Sequence, residues 1–310
     1  MIRSPTNSST GSIVEGSWAQ EFALDAKTWF STTAIASDFF RPAHIADLRQ
    51  FLEELPRDRE VSSLGSGSGL MFLGRRYDGV VIYLGSRFGG FELLKNDTIR
   101  VGAGAKTADV VYKASQAGFD MSFLAGMPGT IAGALVGNAG YQSKTIRELF
   151  SRATVVSRDG TVRTLQAGAD TDLTELSDVL DGGVIVQAVL TPPKATAEAV
   201  GRRVKETLLL RETCYPSSPM VTGPLFSLDL ASSTFPNEEE TPSVEHLIQS
   251  LGLILDQHSS LRSDPKFPNI LIGSSKEDAQ AVPRFGEQIR SECKTLTGFA
   301  LEWKLQMFHH

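Results

Sequence analysis

The chain has 310 residues, with 30 Lys and Arg against 36 Asp and Glu, a net charge of −6. Its 41% hydrophobic content can build a sizeable core, which excludes a wholly disordered chain. The acidic balance excludes a generic binder of nucleic acid or of an acidic membrane surface, because no excess cation is at hand to neutralise phosphate. The length fits two or three domains. Cys214 and Cys293 allow at most one bridge, too few for a disulfide scaffold or a thiolate metal site, and they read as free thiols of a cytoplasmic protein. No apolar run approaches the length of a membrane span, and no apolar stretch follows Met1 to mark a signal peptide.

Residues 1–19 read as a disordered N-terminus, within which 4–13 are rich in Ser, Thr, Pro, Gly and Asn. Ile45, Leu48, Phe51, Leu52 and Leu55 share one face at helical spacing, and Pro56 stops that helix. A strand over Glu60–Leu64 runs into Gly65-Ser66-Gly67-Ser68-Gly69-Leu70. Gly79–Leu84 reads as a buried strand and Thr98–Val101 as another, followed by Gly102-Ala103-Gly104-Ala105. A helix is predicted over Thr107–Ala117, with Gly118 as its stop. Gly126-Met127-Pro128-Gly129-Thr130-Ile131-Ala132-Gly133-Ala134 and then Gly137-Asn138-Ala139-Gly140-Tyr141 form a second glycine-rich segment. Arg152–Leu165 reads as a hairpin turning at Asp159-Gly160, and Val184–Leu190 as a strand ended by Pro192-Pro193.

A second unit is expected from near Lys194. It opens with a helix over Ala195–Leu210 and has a short strand at Leu225–Leu228. Pro236–Pro242 is an acidic loop, and Ser243 opens a helix over Val244–Leu251 that Gly252 ends. A further helix over Ala279–Lys294 leads to a terminal strand over Gly298–Leu305. His309-His310 has the look of a purification-tag remnant. The five histidines have no metal-ligand spacing, and no metal site is expected.

The glycines carry the functional signal. Gly65, Gly67 and Gly69 follow a strand, where small residues let backbone amides face a phosphate. The row lacks the Lys and Ser/Thr of a nucleoside-triphosphate loop. Gly126, Gly129, Gly133, Gly137 and Gly140 can lay a backbone flat against a planar or phosphorylated ligand. Close packing of helix on strand is the competing reading of either segment. Two such segments about 60 residues apart favour one extended cofactor in a crevice.

These residues resemble the UDP-N-acetylenolpyruvoylglucosamine reductase (MurB) family. Gly126-Met127-Pro128-Gly129-Thr130-Ile131-Ala132-Gly133-Ala134 with Asn138-Ala139-Gly140 is similar to its G-I-P-G-T-x-G-G-A and N-A-G signature, and Leu64–Leu70 to its L-G-x-G-S-N-L loop, with Gly69 in place of Asn. Lys27-Thr28 resembles its early N-T pair. The resemblance covers residues 20–190 well and continues weakly through Ser243–Gly252 and Asn269–Ile272 to the end. It implies an α+β fold of the vanillyl-alcohol-oxidase/MurB type: two α+β FAD-binding subdomains, at residues 20–92 and 93–195, and a C-terminal α+β substrate domain at 196–295, closed by a terminal strand at 296–310. It implies FAD held by Gly65, Ser66, Gly67, Ser68, Gly69, Gly126, Pro128, Gly129, Thr130, Gly133 and Asn138. In the family NADPH reduces the flavin, hydride passes to an enolpyruvyl double bond of a UDP-amino-sugar, and a serine protonates the product, supported by an arginine and a glutamate.

The departures fall on that machinery. The family's G-S-x-F-x-N-P reads Gly223-Pro224-Leu225-Phe226-Ser227-Leu228, with Pro224 at the serine's position. Its L-E-P-E-V reads Leu301-Glu302-Trp303-Lys304-Leu305, with Lys304 at the glutamate's. The segment with the catalytic arginine should lie between Leu165 and Val184, where Gln166–Leu176 holds no arginine. R-x-x-K-Q-P reads Arg211-Glu212-Thr213-Cys214-Tyr215-Pro216, without the lysine. The expectation is an FAD oxidoreductase with an altered site acting on a small molecule or nucleotide sugar, reduced by NADPH or NADH. Lys304, Arg211, Ser227, Cys214 and Tyr141 are its candidate catalytic residues, each with a plain packing or surface role as the alternative. A non-catalytic flavin or nucleotide-sugar binder, and a genuine NADPH-dependent reductase of peptidoglycan synthesis, are the rival readings; the oligomeric state is left open.

Overall fold

The structure is a computed structural model that describes residues 15–141, 144–168, 180, 182–212, 220–229, 233, 242–252, 260–264 and 266–308. It divides into two compact units, each with its own core. The first takes in residues 36–66 and 78–213 together with the chain before Ala23; the second takes in 23–35, 67–77 and 214–310.

The first unit carries two sheets. One has strands β1 (Ser17–Ala23), β2 (Ile35–Arg41), β3 (Val61–Leu64) and β4 (Arg76–Tyr83), in the order β1-β2-β4-β3, with β3 and β4 parallel. Helix α1 (Ile45–Glu54) buries Leu48, Phe51 and Leu52, and Phe51 stacks on Phe40 of β2 with ring centroids 4.0 Å apart. The second sheet has β5 (Phe91–Leu93), β6 (Ile99–Gly102), β7 (Phe150–Val156), β8 (Val162–Gln166) and β9 (Val184–Leu190), in the order β8-β7-β9-β6-β5. Every pair in it is antiparallel, with Ala153 opposite Ala188 and Val189 opposite Arg100. The β7–β8 hairpin turns at Asp159-Gly160 as expected. Gly160 takes φ +78°, and the Asp159 carboxylate accepts from the Thr161 amide at 2.9 Å. Arg158 in that turn donates to the carbonyls of Leu52, Leu55 and Pro56, capping the end of α1.

Helix α2 (Thr107–Gln116) buries Val110, Val111 and Ala114, and Gly118 at φ +75° ends its run. The short helix α3 (Ile131–Val136) and the long helix α4 (Ala197–Glu212) complete the unit. The sequence reading gives α4 to the C-terminal part; it clusters instead with the first unit. There Val200 is fully buried and Arg203 pairs with Asp120 at 2.9 Å.

The second unit has a helical and a strand layer. Ser243 caps α5 (Val244–Ser250), and its hydroxyl accepts from the His246 amide. The helix expected over Ala279–Lys294 is corrected: a 3-10 turn at Lys276–Ala281 precedes α6 (Val282–Thr297), because Pro283 sits well only in a first helical turn. Gly298 at φ +76° ends α6. Strand β10 (Phe226–Asp229) pairs with β12 (Ala300–Trp303), while β11 (Phe267–Ile272) pairs with Arg262–Asp264. The single terminal strand expected over Gly298–Leu305 is two. After β12 the chain turns, and Gln306–Phe308 runs parallel to Leu70–Phe72. β1 begins at Ser17, inside the segment to which the sequence reading gives no order, and β1 and β2 were not foreseen. Among the described residues no helix is long and apolar enough to cross a membrane.

Candidate functional site

In the first unit the central glycine segment is stitched onto the chain between β6 and α2. Thr107 N donates to Gly129 O at 3.1 Å, Ile131 N to Ala105 O at 3.0 Å and Ala132 N to Ala103 O at 3.1 Å. Gly126 takes φ +73° and Gly129 φ +122°, conformations that side chains other than hydrogen rarely adopt. Thr130 caps α3, its Oγ1 accepting from Gly133 N at 3.4 Å. The same hydroxyl sits against Gly65, where an added Cβ would lie 2.5 Å from it. The structure therefore brings Gly65 of the first glycine row against Thr130 of the second. Asn138 takes φ +43° at the end of α3, a position that Asn tolerates better than most residues. Its Oδ1 is buried, with no hydrogen-bond partner among the described residues. Gly102 and Gly104 are packing glycines: an added Cβ would lie 2.0 Å from Phe88 O in one case and 2.1 Å from Gly85 O in the other.

In the second unit Gly67, at φ +70°, lies under Lys27-Thr28. A Cβ there would meet Lys27 O at 2.0 Å, and Trp29 N donates to Gly67 O at 2.9 Å. The early Lys-Thr pair thus sets the shape of the loop. At Gly69 an added Cβ would meet no atom within 4 Å, so the space on that side of the residue is open. Gly65, Gly67 and Gly126 are shaped by the chain packed on them, while the open position at Gly69 and the Asn138 Oδ1, unpartnered among the described residues, are features that fit a dinucleotide such as FAD.

Of the other candidate residues, Arg211 and Tyr141 belong to the first unit and Ser227 and Lys304 to the second. Arg211 is 5% exposed, so it is buried rather than on the surface. Its guanidinium lies 4.8 Å from the centre of the Tyr141 ring, and Nη2 donates to Phe123 O at 3.3 Å. Ser227 donates to Glu302 Oε1 at 2.9 Å across β10 and β12. Lys304 follows directly, its amide donating to Leu225 O at 2.8 Å, so the residue beside Pro224 and the lysine lie across from one another. Gly223 packs on Ser68 O, and Gln306 N donates to Gly69 O at 3.1 Å, which brings the first glycine row to the same place in this unit. Cys214 and the Gln166–Leu176 stretch beyond Gly168 lie outside the described residues.

Two features that hold this place were not read from the sequence. Asn269, 4% exposed, donates from Nδ2 to Phe226 O and accepts at Oδ1 from Phe226 N, both at 3.0 Å, as a neighbouring strand would. Trp303 lies over Gly286 of α6, packs at a tilt against Phe226 with ring centroids 4.7 Å apart and donates from Nε1 to Glu287 at 2.7 Å. That hydrogen bond, with help from Arg290, holds the Glu287 carboxyl below its ordinary range despite its partial burial. A glycine inside an amphipathic helix signals close approach; nothing in the sequence names Trp303 as the partner.

The model of an FAD binding domain family matches residues 36–166. The chain is 30% identical to the UDP-N-acetylenolpyruvoylglucosamine reductase of Dinoroseobacter shibae over 294 residues, covering 94% of this chain and 95% of that protein. It is 32% identical to the protein of that name from Acidiphilium cryptum, covering 94% and 92%. Its fold is similar to the crystal structure of UDP-N-acetylenolpyruvylglucosamine reductase from Thermus caldophilus, with a TM-score of 0.72 at 19% identity, covering 94% of this chain and 98% of that one.

Proposed function

The chain belongs to the UDP-N-acetylenolpyruvoylglucosamine reductase family and is an FAD-dependent oxidoreductase, and from that premise we propose that its substrate end has been rebuilt for a reaction in which the protein does not donate the proton as its relatives do. The observation that carries this reading is the pairing of Leu225 with Lys304. In this reading the segments that align with the family's serine and glutamate motifs adjoin, since Lys304 N bonds to the carbonyl of the residue after Pro224. One carries a proline with no hydroxyl; the other carries a cation where a carboxylate would stand. Ser227 does not replace the lost donor, since it lies three residues further along and its hydroxyl is engaged by Glu302.

FAD, when bound, supplies two-electron hydride transfer. The backbone of Gly65, Ser66, Gly67, Ser68 and Gly69 and the Gly126–Thr130 turn, with Pro128, Gly133 and Asn138, hold it in this reading. Lys304 offers a positive charge to the substrate. The substrate is a small molecule or nucleotide sugar, and NADPH or NADH is the donor, which assigns the reaction to the cytoplasm.

The test is a side-by-side rate measurement with the Dinoroseobacter shibae enzyme, using NADPH and UDP-N-acetylglucosamine enolpyruvate. A positioned general acid contributes about 10²–10⁴-fold, so turnover at least about 100-fold slower is expected from this chain. Equal rates would contradict the reading and make the chain a genuine reductase of peptidoglycan synthesis. A bound flavin that no nicotinamide donor reduces would favour a binding role without turnover.

A further inference from the structure

Arg211 touches three separate stretches of the first unit. Its stem occupies the space that a side chain at residue 126 would need: a Cβ on Gly126 would lie 3.2 Å from Arg211 Cδ and 3.7 Å from its Cβ. Its Nη2 donates to Phe123 O, in the 3-10 turn Ser122–Leu124 that leads into Gly126. Its guanidinium faces the ring of Tyr141, in the short strand Gly140–Tyr141. Gly126 and Tyr141 are the two ends of the glycine-rich segment that runs through Gly129, Thr130 and α3. One buried side chain at the end of α4 therefore holds both ends of that segment.

We propose that Arg211 is the positioning residue of the FAD cradle. This rests on the reading that the Gly126–Gly140 segment meets the cofactor. Lys or Met at 211 could fill the space beside Gly126. Neither offers a planar cation that stacks on an aromatic ring while donating sideways to a carbonyl. The role assigned to Tyr141 is carried by its ring face and not by its hydroxyl, so Phe should serve there and Leu should not.

The experiment uses the full chain stripped of flavin, with Arg211→Met, Tyr141→Phe and Tyr141→Leu. FAD affinity is read by fluorescence titration, the melting temperature of the flavin-free protein is read separately, and the visible circular dichroism of the bound flavin reports its setting. The expected result is FAD affinity weakened about tenfold or more in Arg211→Met, the scale of a desolvated cation–ring contact with its hydrogen bond. Tyr141→Leu should weaken binding in the same direction and change the dichroism, while Tyr141→Phe keeps both near those of the unaltered chain. An Arg211→Met protein that melts earlier yet binds FAD with unchanged affinity would overturn the proposal. If Arg211→Met does not fold, the Tyr141 pair decides: equal affinities for Phe and Leu overturn it. Failure of the unaltered chain to bind FAD would instead strike the cofactor assignment, a separate and visible outcome.

Discussion

Gly67 and Gly65 sit two residues apart in the same row, and their surroundings set different costs for a side chain. A Cβ on Gly67 would strike a backbone oxygen, Lys27 O, and would have to adopt φ +70°. A Cβ on Gly65 meets the Thr130 side chain, closest at its hydroxyl, which can turn aside at the expense of the α3 cap. Gly67→Ala is therefore expected to lose about 2–4 kcal/mol, and Gly65→Ala about 1 kcal/mol, by urea denaturation of the flavin-free chain. The reverse ranking would show that the loop is not held as described. Gly286 is tighter still, with Trp303 Cη2 at 1.8 Å from an added Cβ. Gly286→Ala must lift the indole from Phe226 and break its bond to Glu287, an expected loss of at least about 2 kcal/mol. Stability within about 0.5 kcal/mol of the parent, the range of neutral surface changes, would argue against that packing. The glycine rows were legible at this scale because bare backbone is visible in a sequence. Which glycine serves a ligand and which only packs, as Gly102 and Gly104 do, depends on neighbours distant along the chain.

At the scale of elements, the second unit depends on side chains that do the work of backbone. Asn269 closes two hydrogen bonds on Phe226, so Asn269→Ala strands a buried N–H and a buried C=O. The expected loss is about 2–4 kcal/mol, measured by denaturation, and a loss below about 0.5 kcal/mol would show that β10 does not need the clamp. The turn before α6 adds a dependence on pH. Burial would push the Asp278 carboxyl up, but the Ser260 hydroxyl and the amides of Ser274 and Ser275 outweigh it and hold it below its ordinary value. A carboxyl depressed in the folded state stabilises fully above its unfolded value and loses that contribution as pH falls through its folded value. The stability gap between the parent and Asp278→Asn should therefore narrow from neutral pH toward about pH 3. A constant gap would contradict it. Long periodic elements such as α1 and α2, and the Asp159-Gly160 hairpin, were legible because their signals are local. The start of α6 was misplaced because its hydrophobic period runs back through the 3-10 turn, and only Pro283 marks the boundary. β1 is not legible in the sequence because it is an edge strand with a mixed burial pattern and so lacks a clear alternation of apolar and polar residues.

At the scale of the whole molecule, each unit keeps one part of the family pattern or departs from it. The first unit retains the glycine segment and matches the FAD domain model over residues 36–166. The second brings Lys304 beside Leu225, next to Pro224. Ligand binding to the folded state stabilises by about 2.7 kcal/mol at 100 times Kd, so FAD should raise the melting temperature and slow hydrogen exchange at Gly126–Thr130 more than at β10 and β12. The central claim, a retained cofactor end and an altered chemistry end, is tested most directly by one anaerobic absorbance trace. The FAD-loaded chain is reduced with NADPH, and UDP-N-acetylglucosamine enolpyruvate is then added. The expected trace loses the oxidised-flavin band with the donor and does not regain it with the sugar. Prompt return of that band on adding the enolpyruvyl sugar would contradict the account.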